Sequence, residues 1–382
     1  MKKRKNYYLV LIIMFITLGA IGYGGYIAYN KIVNASETKQ DNNSTTNIKN
    51  QSQNTLPELD LATWNIQNFG SSSPKEGTKV QAVAELISNQ DLKFVSVQEV
   101  SYENWSAIEK VIRVLKERYN KNYSFAKSPL KLFSTSRPKS KESYAIIYDP
   151  TVFEEIDNKG LDKFKGKDIE FTRPLWISHW GVRNSSTKFW IINGHLDSPS
   201  NNKKEKEKAN PTINGYKWTQ QGEQEVKEFL DIKNAFESIK KIYYNNSQID
   251  EAIIFNGDTN IKKEHFNYAN KYYEDLGYET GYHKQGNLTE HFLTSMSKNG
   301  YVNPYDKFII FDPNNSVDQV ESNKYKFDLY NVFKNNVLDR QKYLSIFSKE
   351  KGKESLKNIK DNDIVKKISD HTFAKIKLKV HK

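Results

Sequence analysis

The chain has 382 residues, 49 of them aromatic (23 Tyr, 20 Phe, 6 Trp), enough for a substantial core in one large or two ordinary domains. Its formal charge is +12 at pH 7, of which residues 58–382 carry +7, and this favours anionic partners such as nucleic acid or an anionic membrane surface. Cysteine is absent, which excludes disulfides, thiolate catalysis, Cys-ligated zinc or iron–sulfur centres, and a lipid-bearing cysteine anchor.

Lys2-Lys3-Arg4-Lys5 precedes a stretch without charge from Asn6 to Asn30, whose apolar part runs about 23 residues from Tyr7 to Tyr29. Spanning a bilayer takes ~20 apolar residues, whereas the core of a signal peptide is ~7–15. The pattern predicts a single-pass transmembrane signal-anchor over residues 1–33, with the basic tip cytoplasmic and the rest outside the cell. The alternative is a cleaved signal read at Val33-Asn34-Ala35, which would secrete the chain. Residues 34–57 are almost wholly polar and predict a disordered linker.

Residues 58–382 read as one catalytic domain. Leu59 to Trp64 alternates like a strand and is followed by a loop over Asn65 to Pro74. Val80, Val83, Ala84 and Ile87 recur at helical spacing, Phe94 to Glu99 reads as a strand, and Trp105, Ile108, Ile112 and Leu115 mark a second helix. Tyr144–Tyr148 and Phe189–Ile192 predict further strands, and the Lys-rich stretch 201–218 predicts a surface loop. A long helix over Val226 to Tyr243 leads into the strand Ile253–Phe255, and Ala374 to Val380 alternates with lysines as a half-buried strand. Interleaved strands and helices indicate α/β architecture.

Glu99, Asp258, Asp306 and Asp370 each lie beside a β-type run. One such acid is ordinarily a cap or a solvated turn, but four together suggest a cation site, with Asn65 and Asn260 as neutral oxygen donors. Carboxylate and amide oxygens suit Mg²⁺, Mn²⁺ or Ca²⁺ better than zinc. His195, in Gly194-His195-Leu196-Asp197, and His371, directly after Asp370, stand beside carboxylates as candidates for the acid and base of phosphoryl transfer. Glu142 and Asp306 are candidates for orienting the two imidazoles.

Read together, these residues resemble a known family. Trp64-Asn65-Ile66-Gln67-Asn68-Phe69-Gly70, Gln98-Glu99-Val100, Lys141-Glu142-Ser143-Tyr144, Phe171-Thr172-Arg173-Pro174, His195-x-x-Ser198-Pro199, Gly257-Asp258-Thr259-Asn260, Tyr305-Asp306-Lys307 and Ser369-Asp370-His371 follow the order seen in the endonuclease/exonuclease/phosphatase superfamily. The likeness is greatest to its deoxyribonuclease I branch and, with the anchor, to mycoplasma-type membrane nucleases. It implies a four-layer α/β sandwich of two mixed sheets flanked by helices, and divalent-metal hydrolysis of DNA phosphodiesters with little sequence specificity, RNA being left open. By motif match Glu99 is the main metal ligand, with Asn65 and Asp370 nearby. His195 and His371 are the acid–base pair, supported by Glu142 and Asp306 respectively. Asp258 and Asn260 orient the attacked phosphate, the nucleophilic water or a second metal, and Arg173 contacts a substrate phosphate. Ser140 stands where that branch has a DNA-contacting tyrosine, which sets groove recognition apart from the resemblance.

Two other functions fit the same motifs less well. One is a phosphodiesterase of this superfamily acting on phospholipid, sphingomyelin or a small phosphoester. The other is a surface-binding protein that keeps the fold without activity. No obligate protein partner is implied.

Overall fold

Strand alternation decides which side chains meet. In Glu58–Phe69, Ala62 and Trp64 pack into one hydrophobic core while Leu61 packs into another on the opposite face of the sheet. The computed structural model describes residues 58–130, 141–199, 208–281, 288–351 and 359–381, all within the unit Leu56–Lys382. The expected signal-anchor and linker, Ser140, and residues 201–207 of the Lys-rich stretch lie outside the described residues. Among the described residues, no helix is long and apolar enough to cross a membrane.

Two mixed sheets form the middle. The first runs edge to edge as Val317–Asp318, Ala374–Lys379, Glu58–Phe69, Phe94–Ser101, Glu142–Tyr148 and Ser124–Lys127. The second runs as Glu279–Thr280, Asp306–Phe311, Ala252–Asp258, Lys188–His195, Leu175–Val182 and Phe153–Ile156, with Lys163–Phe164 pairing off to the side. In each sheet the two central strands are parallel and their outer neighbours antiparallel.

Three hydrophobic cores separate four layers. One fills the space between the first sheet and helices Thr78–Asn89, Ser106–Tyr119 and Asp361–Ile368. The second lies between the sheets, and the third between the second sheet and helices Glu223–Ile242 and Phe266–Asp275. This is the α/β sandwich that the motif resemblance implies. Helix Ser106–Tyr119 shows the local logic: Ala107, Ile108, Val111, Val114 and Leu115 form one buried stripe, and Asn120 ends the helix in a left-handed conformation with φ of 51°.

Two stretches differ from expectation. The first strand does not stop at Trp64 but continues through a register shift to Phe69, because the neighbouring Phe94–Ser101 strand still offers partners there. Within the Lys-rich stretch, residues 212–217 form a small hairpin, Trp218 is fully buried, and Tyr216 stacks on Tyr268 at 3.7 Å. A Tyr and a Trp among many polar residues anchor the segment that composition alone assigns to solvent. Burying an aromatic side chain contributes about 2–3 kcal/mol, enough to hold a short hairpin in place.

Candidate active site

Along the facing strands, the side chains that point between the sheets change character from one end to the other. Phe189, Ile191, Asn193 and His195 share the inner face of one strand; Ala252, Ile254, Asn256 and Asp258 share that of its neighbour. The apolar members fill the middle core, and the amides bridge the sheets. Gln98 donates across to Asn193 Oδ1 at 2.7 Å and, within its own sheet, to Thr63 Oγ1 at 3.0 Å, and Asn256 donates across to Ser96 Oγ at 2.9 Å. The charged members come last, at the sheet ends. Register places Asp258 directly between His195 on the parallel neighbour and Asp306 on the antiparallel one. Gly257 permits this approach: its φ is 146°, and a Cβ there would lie 1.9 Å from the Gly194 carbonyl oxygen.

Each histidine has a carboxylate at Nδ1. His195 Nδ1 lies 3.0 Å from both oxygens of Glu142, and His371 Nδ1 lies 2.7 Å from Asp306 Oδ2. The two Nε2 atoms converge on one atom, Asp258 Oδ2, each at 3.7 Å. Burial pulls the His371 imidazole down, but Asp306 and Asp258 outweigh it and raise its pKa from 6.5 to about 10. Burial and Arg173 lower the His195 pKa, yet Glu142 and Asp258 leave it above its ordinary value. Burial works against ionised Asp258, and the two histidines more than offset it, so its carboxyl titrates low. The sequence pairing of His195 with Glu142 and of His371 with Asp306 is the geometry found.

The acids and amides gather beside this pair. Asn65 Nδ2 donates to Glu99 Oε1 and to Asp258 Oδ2, both at 3.0 Å, and so joins the carboxylates. Its Oδ1 accepts the Gln67 N–H at 3.0 Å. Glu99 sits at a bulge with φ of 59°, which turns its side chain out of the strand's regular alternation; Oε2 accepts the Asn68 N–H at 2.7 Å. Burial opposes its charge, but His195 and the Asn68 and Asn65 hydrogen bonds hold its carboxyl below the ordinary range. Asp370 accepts from Gln67 Nε2 at 2.8 Å. Burial first, and also the Glu99 charge, push it above its ordinary range against the pull of His371. The Ser369-Asp370-His371 turn is fastened to the first strand by Ser369 Oγ on the Asn65 carbonyl at 2.8 Å and Trp64 Nε1 on the His371 carbonyl at 3.0 Å.

Arg173 donates to the Leu196 carbonyl at 2.7 Å, and its Nε lies 3.4 Å from Glu142 Oε2. It therefore braces the His195 segment and Glu142 while lining the same cavity, of about 500 Å³, as Asn68, Glu99, Lys141, Glu142 and His195. Asn260 donates its side-chain amide to the Leu196 carbonyl at 3.1 Å, and its N–H donates to Asp258 Oδ1 at 2.8 Å. All ten residues singled out in the sequence thus lie in one connected set.

Among the described residues, no three His, Asp or Glu side chains form a ready-made metal cage. The donor set nevertheless fits a hard cation. Glu99 and Asp370 repel one another, and Asp370 Oδ1 is buried with no hydrogen-bond partner. Mg²⁺ is commonly held by one or two carboxylates, with water completing its shell.

No family model matches the chain. Over 168 residues it is 33% identical to an uncharacterized protein of Mycoplasma pneumoniae, a match that covers 42% of this chain and only 31% of that protein. Among solved structures it is similar to truncated TDP2 of Caenorhabditis elegans, at 14% identity and a TM-score of 0.48, over 84% of this chain and 97% of that one. An endonuclease/exonuclease/phosphatase family protein of Bacteroides vulgatus gives 12% identity and a TM-score of 0.48, over 85% and 100% of the chains. Bacteroides thetaiotaomicron mannosyl-6-phosphatase gives 13% and 0.44, over 84% and 99%. At this distance the activities of those proteins do not transfer to this chain.

Several supporting residues escape the sequence reading. Lys79 is buried with Nζ on the Ile66 and Gln67 carbonyls; burial, opposed by Asp370 and Glu99, lowers its pKa to about 8. Glu228, fully buried, accepts the Asp197 N–H at 2.7 Å and the Thr172 N–H, tying the His195 loop to the Arg173 loop. For Glu228 the signal is present but faint: Gln224, Glu228 and Asp231 lie at helical spacing and are buried, with Glu225 and Asn234, beside the apolar stripe of Val226, Phe229 and Phe236.

Proposed function

We propose that the protein is a divalent-metal-dependent phosphodiesterase, a nuclease that hydrolyses DNA with little sequence specificity and is held at a cell membrane by its N-terminal segment with the catalytic domain outside. The observation that supports this most directly is the convergence of His195 and His371 Nε2 on Asp258 Oδ2 at 3.7 Å each. Glu142 and Asp306 hold the Nδ1 protons, so Nε2 is the atom on each ring that exchanges a proton, and both face one space.

A phosphodiester placed there has one imidazole to take the proton of the attacking water and another to supply one to the leaving oxygen. Asp258 and Asn260 orient the attacked group, and Arg173 adds positive charge beside the cavity. Glu99 and Asp370 would hold Mg²⁺, Mn²⁺ or Ca²⁺, with Asn65 beside them. When bound, such an ion neutralises charge that builds on the phosphate oxygens. The positive balance of residues 58–382 favours a polyanion as substrate.

The test is to incubate the purified protein with circular plasmid DNA and Mg²⁺, with and without EDTA. Nicking and degradation that stop with EDTA and return with Mg²⁺, Mn²⁺ or Ca²⁺ are expected. Activity that survives thorough chelation would remove the metal from the reading. Plasmid left intact with all three ions would transfer the reading to a phospholipid, sphingomyelin or small phosphoester substrate.

A further inference from the structure

A second cleft, of about 650 Å³, opens between the hairpin of Met296–Ser297 with Gly300–Tyr301 and the start of helix Asp361–Ile368. Lys298, Lys334, Lys360 and Lys366 line it, all four exposed. Its two carboxylates are already engaged: Asp361 pairs with Arg340 Nε at 2.5 Å, and Asp363 accepts the Lys360 N–H at 2.9 Å. Among the described residues the four ammonium groups have no ion-pair partner. Apart from Tyr330 the lining is lysine, asparagine and aspartate, whose polar ends suit a hydrated anion.

Both walls lead into the catalytic centre. Met296 N donates to the Asp370 carbonyl at 2.7 Å, Ser295 pairs with His371 in a β-bridge, and helix Asp361–Ile368 runs directly into Ser369-Asp370-His371. At 1.5 Å per helical residue, the first turn of that helix lies roughly 10–14 Å from Asp370. A nucleic-acid strand at ~3.4 Å per nucleotide covers that distance in about three to four phosphates.

We infer that this cleft is a second binding site for the phosphate backbone, holding the strand about three to four nucleotides from the scissile bond. The inference rests on the nuclease reading. Four lysines neutralise phosphates without reading bases, which agrees with low sequence specificity. Tyr330, half-buried in the same lining, offers a ring on which a base can stack.

The test uses the full chain carrying K298Q, K334Q, K360Q and K366Q. Binding of a fluorescent single-stranded 12-mer and a trimer is followed by anisotropy over a series of KCl concentrations, in EDTA and in a His195→Ala background. Hydrolysis of bis(p-nitrophenyl) phosphate is measured without the His195 change. For the 12-mer, the slope of log affinity against log salt should fall by about 2–3, at ~0.7 per phosphate contact on a single strand. Trimer binding and hydrolysis of the small diester should be unchanged. Should the quadruple variant lose small-diester hydrolysis through misfolding, K298Q/K334Q and K360Q/K366Q are measured separately, and each should lower the slope by about 1. An unchanged 12-mer slope with intact small-diester hydrolysis overturns the inference and leaves the nuclease reading standing. A parent protein that hydrolyses the small diester yet neither binds nor cuts oligonucleotides overturns both. Loss of binding to phosphatidylserine vesicles, with the 12-mer unaffected, replaces the inferred strand with a lipid surface.

Discussion

Asp258 is shared by two imidazoles that each have a carboxylate of their own, so removing either ring leaves the other oriented. His195→Ala or His371→Ala should therefore lower kcat by about 10²–10⁴-fold, the usual share of one general acid or base, while far-ultraviolet circular dichroism at 25 °C still shows the parent's secondary structure. A variant that keeps full activity would remove that ring from the chemistry. At this scale much of the site is legible in the sequence, because acids and histidines at strand ends are conspicuous and the motif order supplies their partners. Lys79 and Glu228 are not, because their work is done on backbone groups. Nothing in the identity of Thr172 or Asp197 signals that a carboxylate from a distant helix will accept their N–H groups.

Element boundaries were harder to read than element types, and the charged residues show why. The motifs place Asp306 beside a strand; in the structure it opens one, Asp306–Phe311, whose antiparallel course returns it to the end where Ala252–Asp258 finishes. Direction is a property of the sheet, not of the local sequence. Gly257 carries the pairing of the central strands, so Gly257→Ala should destabilise by about 3 kcal/mol or more in urea titrations, since both the left-handed φ and the Gly194 carbonyl oppose a methyl group. Gly215→Ala, also at positive φ but facing open space, should cost clearly less. A second element-level contact gives a pH signature. Glu251 accepts from Tyr244 at 2.6 Å and lies 2.7 Å from His179 Nε2, linking the segment after a helix to two strands. Burial raises its carboxyl, but the His179 and Tyr244 hydrogen bonds dominate and lower it. Its contribution is thus present above the unfolded value of about 4.3 and lost as the pH falls below it. Urea midpoints measured between pH 3 and pH 7 should drop at the acid end for the parent and less steeply for Glu251→Gln.

Across the whole molecule, the candidate active-site residues and the proposed membrane attachment are separate in sequence and should be separable in experiment. Deleting residues 1–57 should move the protein from the membrane fraction to the supernatant and leave kcat for bis(p-nitrophenyl) phosphate unchanged. Continued sedimentation with membranes would place the attachment elsewhere. Four layers were foreseeable from the motif order, and the interleaving of strands and helices carried the class. The amide bridges between the sheets were not, because Ser96, Gln98, Asn193 and Asn256 read individually as ordinary polar residues within strands. Those bridges bear on how the halves of the site stay matched. An apolar interface tolerates sliding, since one methyl group can replace another as a neighbour. Buried amides do not, because a slip by one residue strands a donor at a cost of about 1–3 kcal/mol. Glu99, Asp370 and His371 belong to the first half of the sandwich, and His195 and Asp258 to the second. The row of amides thus serves as an alignment key, fixing the offset at which five side chains from two independent sheets come together in one candidate site.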